Sequence, residues 1–195
     1  MTILAVNTAG AETEIALIGE VTRFYRDPNG RRASVALMPA VEALLFEVGL
    51  RPSDLDALAV VVGPGSFTGI RIGVSSVRAM AYALDKPVIP VTLCEVLAYN
   101  RESDGATVTV GDAGNGFCYV ARFDVDKRFL EGPLCLTLDE AEAYIAAQAD
   151  CAVVTDSACT RFGECATGQG LIGAVRAHTA DAVPYSEIVP LYVRK

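Results

Sequence analysis

The chain has 195 residues, of which 52% are hydrophobic and 21% are charged, and its formal net charge is −8. A field of that sign repels a phosphate backbone and disfavours unaided binding of nucleic acid, while the shortness of the apolar runs excludes a membrane span. The single histidine, His178, excludes a metal site built on two histidines, and we interpret it as a surface residue. The six cysteines form no Cys-x-x-Cys pair, and Met1–Val6 carries no basic flank or cleavage pattern, so we expect a cytoplasmic protein with reduced thiols.

Three short strands are predicted at the start of the chain, and three strands in succession predict an antiparallel meander. They run from Ile3 to Val6, from Glu14 to Gly19 and from Val21 to Tyr25, with a turn-forming cluster at Asn7–Gly10. A local basic cluster overlaps the last strand. We interpret it as the solvated end of a hairpin, which an anionic partner could also use; its members are Arg23, Arg26, Arg31 and Arg32.

Two amphipathic helices flank the next predicted strand, which runs from Ala57 to Val62. The first helix has apolar residues at helical spacing from Leu37 to Val48, and Pro39 predicts either a kink or the true start of the helix. The second helix runs from Ile70 to Leu84. The remaining elements of this half are a strand from Pro87 to Val91 and a helix from Leu93 to Asn100, which opens on a capping box of Thr92 and Glu95.

A glycine-rich turn, Gly63-Pro64-Gly65-Ser66-Phe67-Thr68-Gly69-Ile70-Arg71-Ile72-Gly73, joins the strand to the second helix. Its glycines predict positive φ angles or close backbone approach, which fits either a phosphate cradle or a rigid start for a docking helix. No Lys follows the turn and its spacing misses the dinucleotide fingerprint, so we favour the docking helix and keep a phosphate contact as a secondary role. We expect hydroxyl caps, a thin glycine flank that invites another helix, and an arginine that reaches a partner carboxylate or anion; these candidates are Gly63, Gly65, Ser66, Thr68, Gly69 and Arg71.

The second half of the chain repeats the plan of the first. Its predicted elements are strands at Thr107–Val110, Phe117–Phe123 and Arg128–Leu130, a helix from Leu138 to about Ala149 behind the capping box of Thr137 and Glu140, and a strand at Cys151–Thr155. Residues 156–186 have weak periodicity, and residues 188–193 predict either a last strand or an extended tail docked on the sheet. The polar loop at 101–105 predicts a boundary between subdomains 1–102 and 103–195.

This duplicated plan is typical of the α/β actin-like ATPase fold (ASKHA, RNase H-like), with two similar subdomains that each hold a mixed five-stranded sheet and helices, here with the second reduced. In that fold the loop after each first strand clasps phosphates, and an aspartate holds hydrated magnesium. The corresponding residues are Asn7 and Thr8 in the first loop and Asp112 and Ala113 in the second. Because the neutral amide of Asn7 is a weak ligand for a hard dication, magnesium-dependent ATP hydrolysis by this chain alone is disfavoured.

The sequence resembles the TsaB (YeaZ) family, the actin-like accessory subunit of the bacterial machinery that makes threonylcarbamoyladenosine in tRNA. The resemblance is densest in the glycine-rich turn and extends to Ile3–Ala9, to Asp112-Ala113 followed by Tyr119, and to Pro190–Arg194. Three features depart from the family pattern: Asn7 stands where Asp is usual, Gly114 and Phe117 stand where Arg and Glu are usual, and the second half is shortened.

The resemblance implies a non-catalytic scaffold that pairs with the TsaD transferase, is joined by the TsaE ATPase and reaches tRNA only within the complex. ATP or ADP and metal would belong to the partner subunits, with no cofactor in the isolated chain. Pairing would use the first two helices, through Leu37, Val41, Leu44, Val48, Gly73, Val74, Val77, Met80 and Ala81. The alternatives are an actin-like ATPase or kinase acting alone and a glycoprotease-like peptidase; a homodimer of the free chain and a nucleotide at the subunit junction are left open.

On the second helix, three apolar residues lie off the main stripe, so that helix is apolar over more of its circumference than one buried face needs. They are Ile72, Met80 and Tyr82. This pattern favours an interface for the helix pair as a whole.

Overall fold

The first sheet of the computed structural model has five strands in the order β3-β2-β1-β4-β5. The structure describes residues 1–27, 32–101, 105–148, 150–165 and 169–193. The strands are β1 (Ile3–Asn7), β2 (Glu14–Ile18), β3 (Arg23–Arg26), β4 (Ala57–Gly63) and β5 (Val88–Thr92). The first three pair antiparallel as a meander, and β4 and β5 continue parallel to β1.

The second sheet has the order β10-β9-β6-β7-β8 and repeats the first. Its strands are β6 (Thr107–Gly114), β7 (Phe117–Phe123), β8 (Phe129–Thr137), β9 (Ala152–Thr155) and β10 (Glu164–Cys165). Strands β6, β7 and β8 pair antiparallel, while β9 and β10 run parallel to β6. Two mixed sheets with the same strand order confirm the predicted α/β actin-like fold.

Five helices cover these sheets in the described parts of the chain: α1 (Ala33–Glu47), α2 (Phe67–Leu84), α3 (Leu93–Ala98), α4 (Leu138–Ala146) and α5 (Gly170–Ala177). Of the two alternatives for Pro39, the start of the helix is wrong, because α1 begins at Ala33 and continues through the proline. The proline ring removes the hydrogen bond to the carbonyl four residues earlier, that of Val35. Val35 is exposed, so water can satisfy that carbonyl and the helix tolerates the loss.

Both predicted capping boxes are confirmed. The Glu95 carboxylate accepts from the backbone N–H of Thr92 at 2.7 Å, and the Thr92 hydroxyl accepts from the N–H of Glu95 at 3.2 Å. Thr137 and Glu140 repeat both distances at the start of α4. These reciprocal bonds satisfy amides at the first turn that have no intrahelical partner.

Helix α5 was not predicted, because its sequence is rich in Gly and Ala and carries little periodic signal. Its buried residues join the hydrophobic core of the first sheet; they are Leu171, Ile172, Ala174 and Val175. The chain after residue 170 therefore packs on the first sheet although it follows the second in sequence. The predicted boundary at residues 102 and 103 itself lies outside the described residues.

The C-terminal tail docks against the first sheet without forming a strand at residues 188–193. The backbone N–H of Leu191 donates to the carbonyl of Val62 at 2.8 Å, and Ile188 is buried in the first core. Of the two alternatives for residues 188–193, the structure has the docked tail; Arg194 lies outside the described residues.

His178, predicted as a surface residue, is half-buried. Its Nε2 lies 2.9 Å from Glu95 and its Nδ1 lies 2.8 Å from Asp181. The imidazole thus connects the end of α5 to the capping box of α3.

The buried cysteines behave as small apolar side chains. Burial raises the pKa of Cys94 to about 12 and that of Cys118 to about 11, and it also raises the pKa of Cys159. These thiols stay protonated at neutral pH and are poor nucleophiles. No helix among the described residues is both long enough and apolar enough to cross a membrane.

Candidate functional site

The glycine-rich turn has the backbone conformation that its sequence predicts. Gly63 and Gly65 have φ angles of 132° and 149°, a region that favours glycine. The Ser66 hydroxyl caps α2 by accepting from the N–H of Gly69 at 3.2 Å. Thr68 does not cap the helix, because α2 begins at Phe67 and Thr68 is already its second residue.

The glycines of the turn are packed against the first loop of the chain. The carbonyl oxygen of Ala9 lies against Gly65 and accepts from the N–H of Ser66 at 2.8 Å. A Cβ added to Gly69 would collide with the carbonyl oxygen of Thr8, and one added to Gly73 would collide with the Thr8 hydroxyl. That hydroxyl donates to the carbonyl of Gly69 at 2.7 Å.

The thin flank at Gly69 and Gly73 therefore receives the first loop of the same chain. The expectation that it invites another helix is wrong, because the space beside both glycines is filled by Thr8. The carbonyls of Thr8 and Ala9 also bring partial negative charge to the turn, and this disfavours the secondary role as a phosphate contact.

Asn7 lines the cleft between the two sheets, and both polar atoms of its amide form a hydrogen bond. Its Nδ2 donates to Glu14 Oε2 at 2.8 Å, and its Oδ1 accepts from the N–H of Ala9 at 3.0 Å. Glu14 in turn receives Arg26, whose Nη2 lies 2.6 Å from Glu14 Oε1. Asn7 is 2% exposed, so this network is a structural device that shapes the first loop.

The basic cluster predicted near β3 is largely neutralised by neighbouring carboxylates. Arg26 pairs with Glu14 and also with Glu12 at 3.3 Å, while Arg23 pairs with Glu47 at 3.1 Å. The solvated-hairpin interpretation therefore fits these arginines better than an anion site. Arg32 is exposed, and Arg31 lies outside the described residues.

The second predicted phosphate loop is part of a hairpin. Strand β6 runs through Asp112 and Ala113 to Gly114, and the turn falls at Asn115 and Gly116, where φ is 54° and 81°. Asp112 lies directly opposite Cys118 on β7. The predicted strand end at Val110 is thus four residues too early, because pairing with β7 continues beyond it.

Asp156 belongs to the cleft and was missed by the sequence analysis. Its Oδ2 accepts from the N–H of Asp112 at 2.7 Å, and its Oδ1 accepts from the N–H groups of Ala158 and Cys159, both at 3.0 Å. Its position directly after β9 is the signal that could have identified it, because side chains at the carboxyl ends of parallel strands collect at one edge of the sheet.

A cavity of about 410 Å³ lies between the two loops. Gly65, Ser66 and Phe67 line one side, and Asp112, Tyr119 and Asp156 line the other. Burial raises the pKa of Tyr119, which keeps the phenol protonated. The carboxylates of Asp112 and Asp156 repel phosphate groups, and no three His, Cys, Asp or Glu side chains of the described residues are arranged to hold a metal ion.

Most of the residues predicted to contact a partner are instead in the core of this chain. The fully or nearly fully buried ones are Leu37, Val41, Leu44, Gly73, Val74, Val77 and Ala81. Val48 and Met80 are half-buried. The physical reason is that an amphipathic stripe marks the face of a helix that packs inward, so the seven buried residues are corrected to core positions.

The outer side of α1 and α2 carries a different apolar set. Val35, Met38 and Phe46 on α1 are 60%, 50% and 86% exposed, and Tyr82 on α2 is 69% exposed. A groove of about 680 Å³ runs between the two helices, lined by Met38, Pro39, Phe46, Met80, Ala83 and Leu84 among others. We call this surface the α1–α2 groove.

Arg71 stands on the exposed side of α2 beside two aromatic rings. Its guanidinium carbon lies 3.8 Å from the centroid of the Phe67 ring, and its Nε donates to the hydroxyl of Tyr192 at 3.1 Å. The rings of Phe67 and Tyr192 are 5.2 Å apart. The structure thus joins the glycine-rich turn to the C-terminal tail at this point.

Comparison with known proteins finds a family model and relatives whose descriptions all name the threonylcarbamoyl modification of tRNA. The model of the family described as "TsaD: tRNA N6-adenosine threonylcarbamoyltransferase" matches residues 28–148. The tRNA threonylcarbamoyladenosine biosynthesis protein TsaB of Bacillus subtilis is 39% identical over 134 residues, which cover 67% of this chain and 58% of that protein. TsaB of Escherichia coli is 33% identical over 133 residues, or 65% of this chain and 57% of that protein.

These matches span less than two thirds of the length of the curated relatives. A solved structure from Pseudomonas aeruginosa, described as similar to peptidase YEAZ, superposes with a TM-score of 0.82 at 23% identity and covers 99% of both chains; it supports the fold. The chain belongs to the family of the TsaD model, and within it to the TsaB (YeaZ) proteins.

Proposed function

We propose that this chain is a non-catalytic subunit of tRNA threonylcarbamoyladenosine biosynthesis, which pairs with a TsaD-type transferase through the α1–α2 groove. The α1–α2 groove itself carries this proposal. Helix α1 is apolar on both of its sides: one side packs on the sheet, while Val35, Met38 and Phe46 are exposed on the other. Exposed apolar surface of this extent on two adjacent helices is typical of a protein interface.

The residues in the cleft favour a scaffold over an enzyme. The position where the actin-like fold uses a magnesium-binding carboxylate holds Asn7, and its amide is already bonded to Glu14 and Ala9. The carboxylates of Asp112 and Asp156 already accept backbone N–H bonds, from Gly114 and from Asp112, Ala158 and Cys159 respectively. No lysine or arginine lines the cavity beside them to bind phosphates, so the described residues offer a poor site for a magnesium–nucleotide complex. An ATPase or kinase acting alone is therefore less well supported.

The peptidase alternative has little support in the chemistry of the chain. His178 is the single histidine, and its two ring nitrogens lie beside the carboxylates of Glu95 and Asp181 rather than a serine or cysteine. A nucleophile activated by histidine would need to lie within hydrogen-bond reach of that ring. The TsaE-type ATPase, contact with tRNA only through the complex, the free homodimer and the cytoplasmic location stay predictions.

Replacing Phe46 with glutamate should weaken binding to the TsaD-type subunit of the same organism at least about tenfold, because a charge would have to be buried in an apolar contact. Isothermal titration calorimetry with the purified partner measures the effect. The matched control is Val125→Glu, which adds the same charge at a 51% exposed residue in the β7–β8 turn and should leave Kd unchanged. Equal Kd values for the wild type and Phe46→Glu would contradict the proposed surface.

A further inference from the structure

The cluster of Phe67, Arg71 and Tyr192, which we call the cationic cluster, holds its arginine in a fixed place. Arg71 stacks on the Phe67 ring at 3.8 Å and uses its Nε to bond the Tyr192 hydroxyl at 3.1 Å. All three side chains are exposed, and Tyr192 comes from the opposite end of the chain, 121 residues away. The two Nη nitrogens of Arg71 are the donors left for a ligand, and the stacking reduces the entropy that Arg71 would lose on binding one.

A depression of about 540 Å³ adjoins the cationic cluster. Besides Arg71, its polar lining consists of the hydroxyl groups of Ser34, Thr68, Ser75 and Ser76. All of these groups can donate hydrogen bonds, and no carboxylate lines the depression. A ligand whose polar atoms are all hydrogen-bond acceptors could therefore find a donor for each of them in this depression.

The charge distribution around Arg71 is a second reason to expect an anionic ligand in this depression. Helix α2 carries Arg71 and Arg78 and no acidic residue, although the chain as a whole has a net charge of −8. Within the described ranges, no carboxylate forms an ion pair with Arg71. An exposed arginine whose position is fixed and whose charge is not countered is well suited to bind a carboxylate with two parallel hydrogen bonds.

We propose that the cationic cluster binds an aspartate or glutamate side chain of the partner subunit, seated in this depression, with Arg71 as the donor and Tyr192 as its positioning residue. The inference rests on the proposed function. We favour a protein carboxylate over a nucleic-acid backbone, because this acidic chain repels a polyanion more strongly than it repels a single carboxylate. Arginine and tyrosine are also among the residue types that are enriched where a few side chains dominate the affinity of a protein interface.

The test is the Kd for the purified TsaD-type subunit, measured by calorimetry for the wild-type chain and four variants. Arg71→Gln should weaken binding about tenfold, and Arg71→Lys should lie between it and the wild type, because lysine keeps the charge and loses the planar donor pair. Tyr192→Phe should weaken binding about threefold, since it keeps the ring and loses only the hydroxyl that holds Arg71. The matched control, Arg78→Gln, removes the same charge two turns further along α2 and should stay within about twofold.

The dependence of Kd on salt concentration separates the specific contact from general attraction. We expect a shallower dependence for Arg71→Gln than for Arg78→Gln. Equal weakening by both variants, or a wild-type Kd for Arg71→Gln, would overturn the carboxylate contact while leaving the proposed pairing in place. If the wild-type chain does not bind the TsaD-type subunit, the proposed function fails, and this inference fails with it.

Discussion

Replacing Gly69 with alanine should lower the free energy of unfolding by about 2–3 kcal/mol, although the same change in an ordinary helix raises it by about 1 kcal/mol. The new methyl group would meet the backbone carbonyl oxygen of Thr8, which cannot rotate away as the end of a flexible side chain could. The loop must move, and the bond from the Thr8 hydroxyl to the carbonyl of Gly69 would be lost with it.

Urea denaturation followed by circular dichroism measures this effect. The matched control is Gly10→Ala in the loop that packs on α2, where an added Cβ would meet only the Leu93 side chain at an ordinary 3.9 Å. We expect that variant to stay within about 0.5 kcal/mol of the wild type. A stabilised Gly69→Ala variant would mean that the first loop does not pack against α2 as described.

Replacing Asn7 with aspartate should also destabilise the chain, by about 2–4 kcal/mol at pH 7. The amide of Asn7 donates to Glu14 at 2.8 Å, and the substitution would bring a second carboxylate to that buried site and remove the donor. Folding would then favour the protonated form of the carboxylate pair. The folded state would bind protons more tightly than the unfolded state, so the loss of stability should shrink as the pH falls from 7 to 5.

Urea midpoints at both pH values test this, with Asn115→Asp as the matched control. Asn115 is exposed in the β6–β7 turn with φ of 54°, a conformation that Asp adopts nearly as well as Asn. Between pH 7 and pH 5, we expect the urea midpoint of the control to change by no more than the midpoint of the wild type changes. An Asn7→Asp variant as stable as the wild type at pH 7 would show that the hydrogen bond from Asn7 to Glu14 does not stabilise the fold.

The sequence predicts local structure well where the signal is local. Both capping boxes, the two meanders and the positive φ of Gly63 and Gly65 follow from residues close together in the chain. Helix α5 and the last four residues of β6 could not be predicted in this way. Segments rich in Gly and Ala take their structure from tertiary contacts, which the periodicity of the sequence does not show.

The candidate site was predicted less well than the fold. The packing of Thr8 on Gly69 joins residues 61 positions apart, so the sequence could indicate that the glycines need a close neighbour but not which one. Periodicity on α1 and α2 identified the buried stripe, which contains Val77, and the exposed surface is formed by residues outside it. Tyr82 on α2 was noted as lying off the stripe, whereas Phe46 on α1 was not.

Hydrogen–deuterium exchange of this chain, alone and mixed with the TsaD-type subunit of the same organism, tests the central claim most directly. We predict a 1:1 complex in which amide exchange slows across α1 and α2 and stays unchanged in β7 and β8. Absence of a complex, or protection confined to the second sheet, would contradict pairing through the α1–α2 groove.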